Sequence, residues 1–143
     1  MSTETNDRAK AMGLLARADA TRLAALFPDL PEHALLRGPE TGAVMVRGRQ
    51  GGTGAPFNLG EMSVTRCSVQ LASGAVGHAH VQGRDKAHAR RAAVIDALLQ
   101  GDDSLRATVL KPLAEAEAAR RQARAAKAGA TKVEFFTMVR GED

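Results

Sequence analysis

The sequence predicts an α+β domain, an antiparallel sheet of four to five strands with N-terminal, central and C-terminal helices packed mainly on one face. Apolar residues recur at helical spacing near the N-terminus and again over residues 85–100. Between these stretches, residues 33–82 are rich in glycine and β-branched residues, and their apolar positions repeat at a shorter interval. The length of 143 residues suits one domain, 1–143, with a single core.

Two helices are predicted at the N-terminus, over residues 7–18 and 20–27. Asp19 lies between them and can cap the second helix. Pro28 follows and ends that helix, because proline cannot continue the backbone hydrogen bonding. One unbroken helix is the alternative interpretation.

A central helix is predicted over residues 85–100, with alanine, isoleucine and leucine on one side and Asp96 on the solvent side. Asp85 is its candidate cap and Gly101 its candidate stop. Pro112 should bend or restart the helical region that follows.

The alanine-rich residues 114–128 strongly favour another helix. Glu117 and Arg121 stand four residues apart in the order that stabilises a helix. Gly129 is a natural residue to follow its end.

Strands are predicted at 34–37, 42–48, 61–72 and 75–82, with a fifth candidate at 132–139. Ser73-Gly74 lies between two of them and predicts a two-residue hairpin turn.

The C-terminal segment carries four large apolar residues close to its end, Phe135, Phe136, Met138 and Val139. On a strand these residues would alternate between the two faces, so both faces would need cover. The core of this domain can cover one face. We therefore predict that a partner subunit covers the other, which makes the four residues a candidate subunit interface.

Bulk composition limits the class of protein. Hydrophobic residues make up 44% of the chain, and no apolar run approaches the about 18 residues that span a membrane. The single cysteine, Cys67, excludes an intrachain disulfide and fits a reducing compartment. The polar N-terminal residues do not look like a secretory signal, and we expect a cytoplasmic location. There is no Trp or Tyr, which argues against stacking on single-stranded nucleic acid.

Positive charge concentrates in the middle of the chain. Residues 33–91 hold eight Lys/Arg and three acids, although the whole chain carries a net charge of only +4. A basic, glycine-rich segment favours an anionic neighbour, either a nucleotide, a nucleic acid or an acidic protein face.

Two segments are candidate anion or nucleotide contacts. Arg49 precedes the loop Gly51-Gly52-Thr53-Gly54, whose backbone N–H groups could surround a phosphate. An ordinary turn is the simpler interpretation, since glycine serves turns more often than phosphates. Arg84 and Lys86 lie where a predicted strand gives way to a helix, a position that suits either an anion or the capping side chain of Asp85.

Metal binding and catalysis have weaker support. His78 and His80 share one face of a predicted strand, and Cys67 or His88 could add a third ligand. A polar, half-exposed strand face is the simpler explanation, because two histidines fall far short of a four-ligand zinc site, and we predict no metal. No complete catalytic set stands out, so no catalytic residue is assigned.

Several segments together are similar to a known family. They are Glu40-Thr41-Gly42, Gly51-Gly52-Thr53-Gly54, Phe57, Gly60, Thr65-Arg66, Gln82-Gly83-Arg84-Asp85-Lys86, His88, Ile95-Asp96-Ala97-Leu98 and Phe135-Phe136-Thr137-Met138-Val139-Arg140-Gly141. In this order and spacing the chain resembles the G subunits of bacterial carbon–phosphorus lyase core complexes over nearly its whole length.

The resemblance implies an accessory subunit in organic phosphonate breakdown. In that family the G, H and I subunits, with an accessory ATP-binding-cassette-like subunit, transfer the ribose triphosphate of ATP onto a phosphonate and release adenine, and the J subunit acts later. The implied partners are therefore the H, I and J subunits and that accessory subunit. ATP is the substrate of the complex, and no cofactor is expected in this chain.

Two other functions stay open on the sequence. In the first, this chain itself binds the nucleotide triphosphate through Arg49, the glycine loop and Arg84. In the second, the chain is a basic nucleic-acid-binding module, which a salt-dependent DNA shift assay would reveal.

Overall fold

The structure is a computed structural model that describes the backbone of residues 2–49, 54 and 56–141, with side chains for residues 5–48, 54, 57 and 60–130. The elements are, in order, α1 Ser2–Arg17, α2 Ala20–Leu26, β1 His33–Arg49, β2 Pro56–Leu71, β3 Val76–Gln82, α3 Lys86–Leu99, a π-helical turn Arg106–Leu110 and α4 Lys111–Gly141. The predicted α+β class is confirmed.

Within the described residues the sheet is antiparallel and has three strands in the order β1-β2-β3. The expected count of four to five strands is therefore not confirmed. The predicted strands 34–37 and 42–48 form the single strand β1, because the chain between them makes a bulge against β2 instead of a turn. Arg37 pairs with Ser68 and Glu40 with Arg66, so the two residues Gly38 and Pro39 of β1 stand opposite the single residue Cys67 of β2.

The C-terminal strand prediction is wrong, because residues 132–139 lie inside α4. The alanine-rich stretch before them propagates as helix, and one interior glycine at 129 costs only about 1 kcal/mol relative to alanine. The apolar positions 135, 138 and 139 are also three and four residues apart, which is helical spacing.

The core lies between the sheet and α3, with α1 and α2 completing its cover. Thr65, Cys67, Val69 and Leu71 alternate along β2 and are all buried, so every second residue of this strand faces the helices. Helices α1 and α3 pack on this one face of the sheet, as predicted, and α4 contacts α1 and the π-helical turn.

The closest contact in the core is between β3 and α3. A Cβ atom on Gly77 would lie 2.6 Å from the backbone nitrogen of Ala97 and 2.8 Å from its Cβ, and it would overlap the carbonyl oxygen of Ala93. Glycine in the strand and alanines in the helix thus allow the two backbones to approach closely.

Local signals place the turns and caps well. The Asp85 side chain accepts a hydrogen bond of 3.0 Å from the backbone N–H of His88, which confirms it as the cap of α3. Asp19 is the N-cap residue of α2 but makes no side-chain capping bond. The turn around Ser73-Gly74 is confirmed in position. It is one residue longer than predicted, since the N–H of Leu71 bonds to the carbonyl of Ala75 at 2.8 Å.

The start of α4 follows the predicted disturbance at Pro112. The π-helical turn ends at Leu110, and Pro112 is the second residue of α4. Arg17 of α1 then donates to both carboxylate oxygens of Glu117, at 3.0 and 3.3 Å, which connects α4 to the rest of the domain. Glu117 also accepts from Arg121 at 3.0 Å, the predicted pairing within the helix.

Candidate subunit interface

The face of the sheet that looks away from the helices is open in the described structure. Alternate residues of β2 and β3 are exposed on this face, opposite the buried positions of the same strands. They are Arg66 and Gln70 of β2 and His78, His80 and Gln82 of β3. An antiparallel sheet can leave one face to solvent, and that face is then expected to be polar.

Near β3 the open face is indeed polar and basic. Arg66 pairs in register with His80 on one side and Glu40 on the other, and Ser68 pairs with His78 and Arg37. Glu40 lies 3.7 Å from Arg66 and 3.8 Å from Arg37, so one carboxylate stands between two guanidinium groups. Both ion pairs are solvent-exposed and therefore weak.

Further along the sheet the open face becomes apolar. β1 and β2 continue as a hairpin beyond the end of β3, because Gln82 pairs with Val64 and the β1–β2 pairing continues to Arg49 and Pro56. Val44 lies directly opposite Met62, and Val64 is the next open-face position on β2. The register adds Phe57, which is exposed, to the same face. We call this set, Val44, Phe57, Met62 and Val64, the apolar patch.

The predicted anion segments lie apart from each other. Gly51, Gly52 and Thr53 lie outside the described residues, Gly54 forms a bend, and Arg49 ends β1. Gln82 of β3 is level with Gly42 of β1, and Arg49 lies seven residues further along β1, about 23 Å from that level. The contacts predicted at Arg49 and the glycine loop, and those predicted at Arg84 and Lys86, stay predictions.

Arg84 and Lys86 are exposed at the start of α3. The turn that presents them is held by Thr65, which is buried. Its hydroxyl donates a hydrogen bond of 2.8 Å to the carbonyl oxygen of Gly83. The Thr65 hydroxyl has one proton, so the 3.0 Å contact between Thr41 and Thr65 has Thr41 as its donor. Gly83 adopts a positive φ of 97°, which glycine accepts without strain.

The candidate metal ligands do not converge. Cys67 is buried on the helix side of the sheet, opposite the face of His78 and His80. His88 is buried in α3, where its Nε2 lies 2.8 Å from the carbonyl oxygen of Leu15. His78 instead contacts Ser68 at 2.8 Å through Nδ1. Among the described residues there is no group of three or more His, Cys, Asp or Glu placed to hold a metal.

Burial also controls the chemistry of the single thiol. The pKa of Cys67 is raised, chiefly because burial disfavours the thiolate, and the positive charge of Arg90 offsets this only in part. A thiol in this environment is a small hydrophobe rather than a nucleophile.

Asp96 was predicted on the solvent side of α3, and this is wrong, since only 1% of the residue is exposed. Its carboxylate accepts two hydrogen bonds from Arg8, at 3.2 and 2.9 Å, and one from the backbone N–H of His78 at 2.9 Å. The Asp96 carboxylate in turn raises the pKa of the Arg8 guanidinium. Asp96 therefore fixes the outer edge of β3 and with it the open face.

The candidate interface residues near the C-terminus all lie in α4. At 100° per residue, positions 135, 136, 138 and 139 fall within about 160° of the helix circumference, so they share one broad side of the backbone helix. The interface was predicted because a strand would carry apolar residues on both faces. In the structure the argument is instead that the four apolar positions fall on one side of a helix, and the interface itself stays a prediction.

No helix in the described ranges is long and apolar enough to cross a membrane. What these elements define is a small α+β protein with a helix-covered face, an open face that is part basic and part apolar, and anion-compatible side chains at the start of α3.

Comparison with known proteins gives the family. The family model described as "Phosphonate metabolism protein PhnG" matches residues 6–141. A relative from Rhizobium meliloti (strain 1021), named "Alpha-D-ribose 1-methylphosphonate 5-triphosphate synthase subunit PhnG", is 52% identical over 143 aligned residues, which cover 95% of this chain and 90% of the relative. This chain belongs to the PhnG family of phosphonate metabolism proteins.

Proposed function

We propose that this chain is an accessory subunit of a ribose 1-methylphosphonate 5-triphosphate synthase, acting in the catabolism of organic phosphonates. The observation that carries the proposal is the 52% identity to a relative named as a subunit of that synthase, over 95% of this chain. The open sheet face supports a role in an assembly, because its apolar patch is unusual for a face left to solvent.

In the reaction of the complex, the bond from ribose C1′ to adenine is replaced by a bond from C1′ to the phosphonate. An oxygen of the phosphonate attacks C1′ of ATP, the bond from C1′ to N9 of adenine breaks, and adenine leaves after N9 takes up a proton. The triphosphate is untouched and its charge must be neutralised throughout. Arg84 and Lys86 are suited to that task, because they are exposed cations at a helix start, where anions are favoured.

The partners in this proposal are the H, I and J subunits of a carbon–phosphorus lyase core complex, with an ATP-binding-cassette-like accessory subunit. ATP enters as substrate of the complex, and this chain carries no cofactor of its own. The assembly works in the cytoplasm.

Reconstitution tests the proposal. The H and I subunits and the accessory subunit are purified with and without this chain and supplied with ATP and methylphosphonate. Adenine is measured by chromatography and the triphosphate product by phosphorus NMR. We expect adenine release only when this chain is present, and none from the isolated chain. Full activity without the chain, or adenine release by the repurified chain alone, would contradict the proposal.

A further inference from the structure

We propose that the open face of the sheet is where a partner protein subunit docks, and that this partner presents apolar side chains flanked by carboxylates. The inference rests on the function proposed above and adds to it the surface and the chemistry of the contact.

The apolar patch supplies the first argument. Val44 is 43% exposed and lies opposite Met62, with Val64 beside them and Phe57 45% exposed towards the hairpin tip. A solvated strand face normally carries polar residues at these positions. Apolar residues clustered here, beyond the reach of the helices, favour a protein contact.

Charge indicates the chemistry of the occupant. The zone next to the apolar patch carries Arg37, Arg66, His78 and His80 with Glu40 as the acid among them. The whole chain has a net charge of +4, so a second copy would bring like charge to the same surface. A partner with carboxylates around an apolar centre is complementary to both zones.

The geometry also makes the face suitable for docking. β2 is the central strand and its buried alternate residues pack on α3, while Asp96 holds the edge of β3 by bonding to the backbone of His78. The basic zone on β2 and β3 is thus supported from behind, which lowers the entropy that its side chains lose on binding.

A matched pair of variants tests the surface. Val44→Asp places a carboxylate in the apolar patch, whereas Met45→Asp places one on the other face of the same strand, at a residue that is 50% exposed. With the co-expressed H, I and J subunits, we expect Val44→Asp to weaken association by about tenfold or more, because an unpaired charge at the centre of an interface is costly. Met45→Asp should co-purify like the wild-type chain.

Two further measurements complete the test. Amide hydrogen exchange on the wild-type chain should show protection of residues 42–48 and 60–66 on assembly, and this needs no variant. Raising the salt from about 0.1 to about 1 M, which shortens the screening length from about 10 to about 3 Å, should weaken the wild-type complex more than the Arg66→Ala complex.

The outcomes separate the two proposals. If the wild-type chain restores adenine release but Val44→Asp and Met45→Asp associate equally, or exchange protection is confined to the helices, the docking surface is wrong and the proposed function stands. If the isolated chain forms a dimer that Val44→Asp dissolves, the occupant is a second copy and the inference is overturned. A wild-type chain that neither associates nor restores activity overturns both.

Discussion

Gly77 offers the sharpest test of how the core is built. Gly77→Ala adds one methyl group where a Cβ would lie 2.6 Å from the backbone nitrogen of Ala97 and would overlap the carbonyl oxygen of Ala93. Backbone atoms of a buried helix cannot move aside as a flexible side chain can. The variant must therefore separate α3 from β3 or distort one of them.

The expected cost is large for a single methyl group. Overpacking a core costs typically about 1–3 kcal/mol, and the contact here is with backbone on more than one side, so we expect at least about 3 kcal/mol. For a domain near this size, 1 kcal/mol corresponds to about 2–4 °C, which predicts a fall of about 6–12 °C in the melting temperature.

Urea and thermal unfolding followed by circular dichroism measure this effect, and Gly42→Ala is the matched control. Gly42 also lies in a strand, but a Cβ there meets no atom within 4 Å. Restricting the unfolded chain should make that variant neutral or about 0.4–1 kcal/mol more stable. If Gly77→Ala loses no more stability than Gly42→Ala, the close approach of strand and helix described above is incorrect.

Three further predictions address the helices and the start of α3. Arg17 holds the pKa of Glu117 below its ordinary value. The ion pair therefore stabilises the fold above the unfolded-state pKa of about 4.3, and this stabilisation is lost as the pH falls through the lower folded-state pKa. On acidification from about pH 5, the wild-type chain should lose more unfolding free energy than Glu117→Gln. Equal losses would contradict this. Arg84→Ala should lower the synthase activity of the complex several-fold without changing the melting temperature of this chain, while Arg84→Lys should keep part of the activity. Full activity of a complex that has incorporated the alanine variant would show that Arg84 is not part of the site. Deleting residues 134–143 should reduce co-purification with the partner subunits, because it removes the apolar positions at the end of α4, and normal yield would exclude that segment from the interface.

The local signals in the sequence predicted most of the elements. Asp85 caps α3, Asp19 separates α1 from α2, and the turn at Ser73-Gly74 forms, because each depends on residues a few positions away. The C-terminal segment could not be assigned in this way. The spacing of Phe135, Met138 and Val139 fits a helix, and the alternation from Phe136 to Met138 fits a strand, so only the helical stretch before them decides.

The candidate site was harder to predict, because its features depend on distant residues. Asp96 was assigned to solvent from its polarity alone, but Arg8 stands 88 residues away in sequence and supplies the pairing that permits burial. The open face was missed because Val44 and Met45 are both apolar in the sequence, and only the register shows that they lie on opposite sides of a hairpin that extends beyond β3. The anion contacts predicted at Arg84 and Lys86 remain predictions.

The bulge in β1 has a consequence for the lone chain before it meets any partner. β1 is an edge strand of 17 residues, and in the described sheet its outer side offers backbone donors and acceptors to any other strand. Such an edge is a template for aggregation. Pro39 provides no backbone N–H at the bulge. The bulge at Gly38 and Pro39 also shifts the register by one residue, so the backbone groups before and after it do not line up with those of one straight strand. A second copy arriving edge to edge therefore meets an interrupted edge instead of 17 pairing positions in a row, which limits self-templated stacking while the apolar patch is still uncovered.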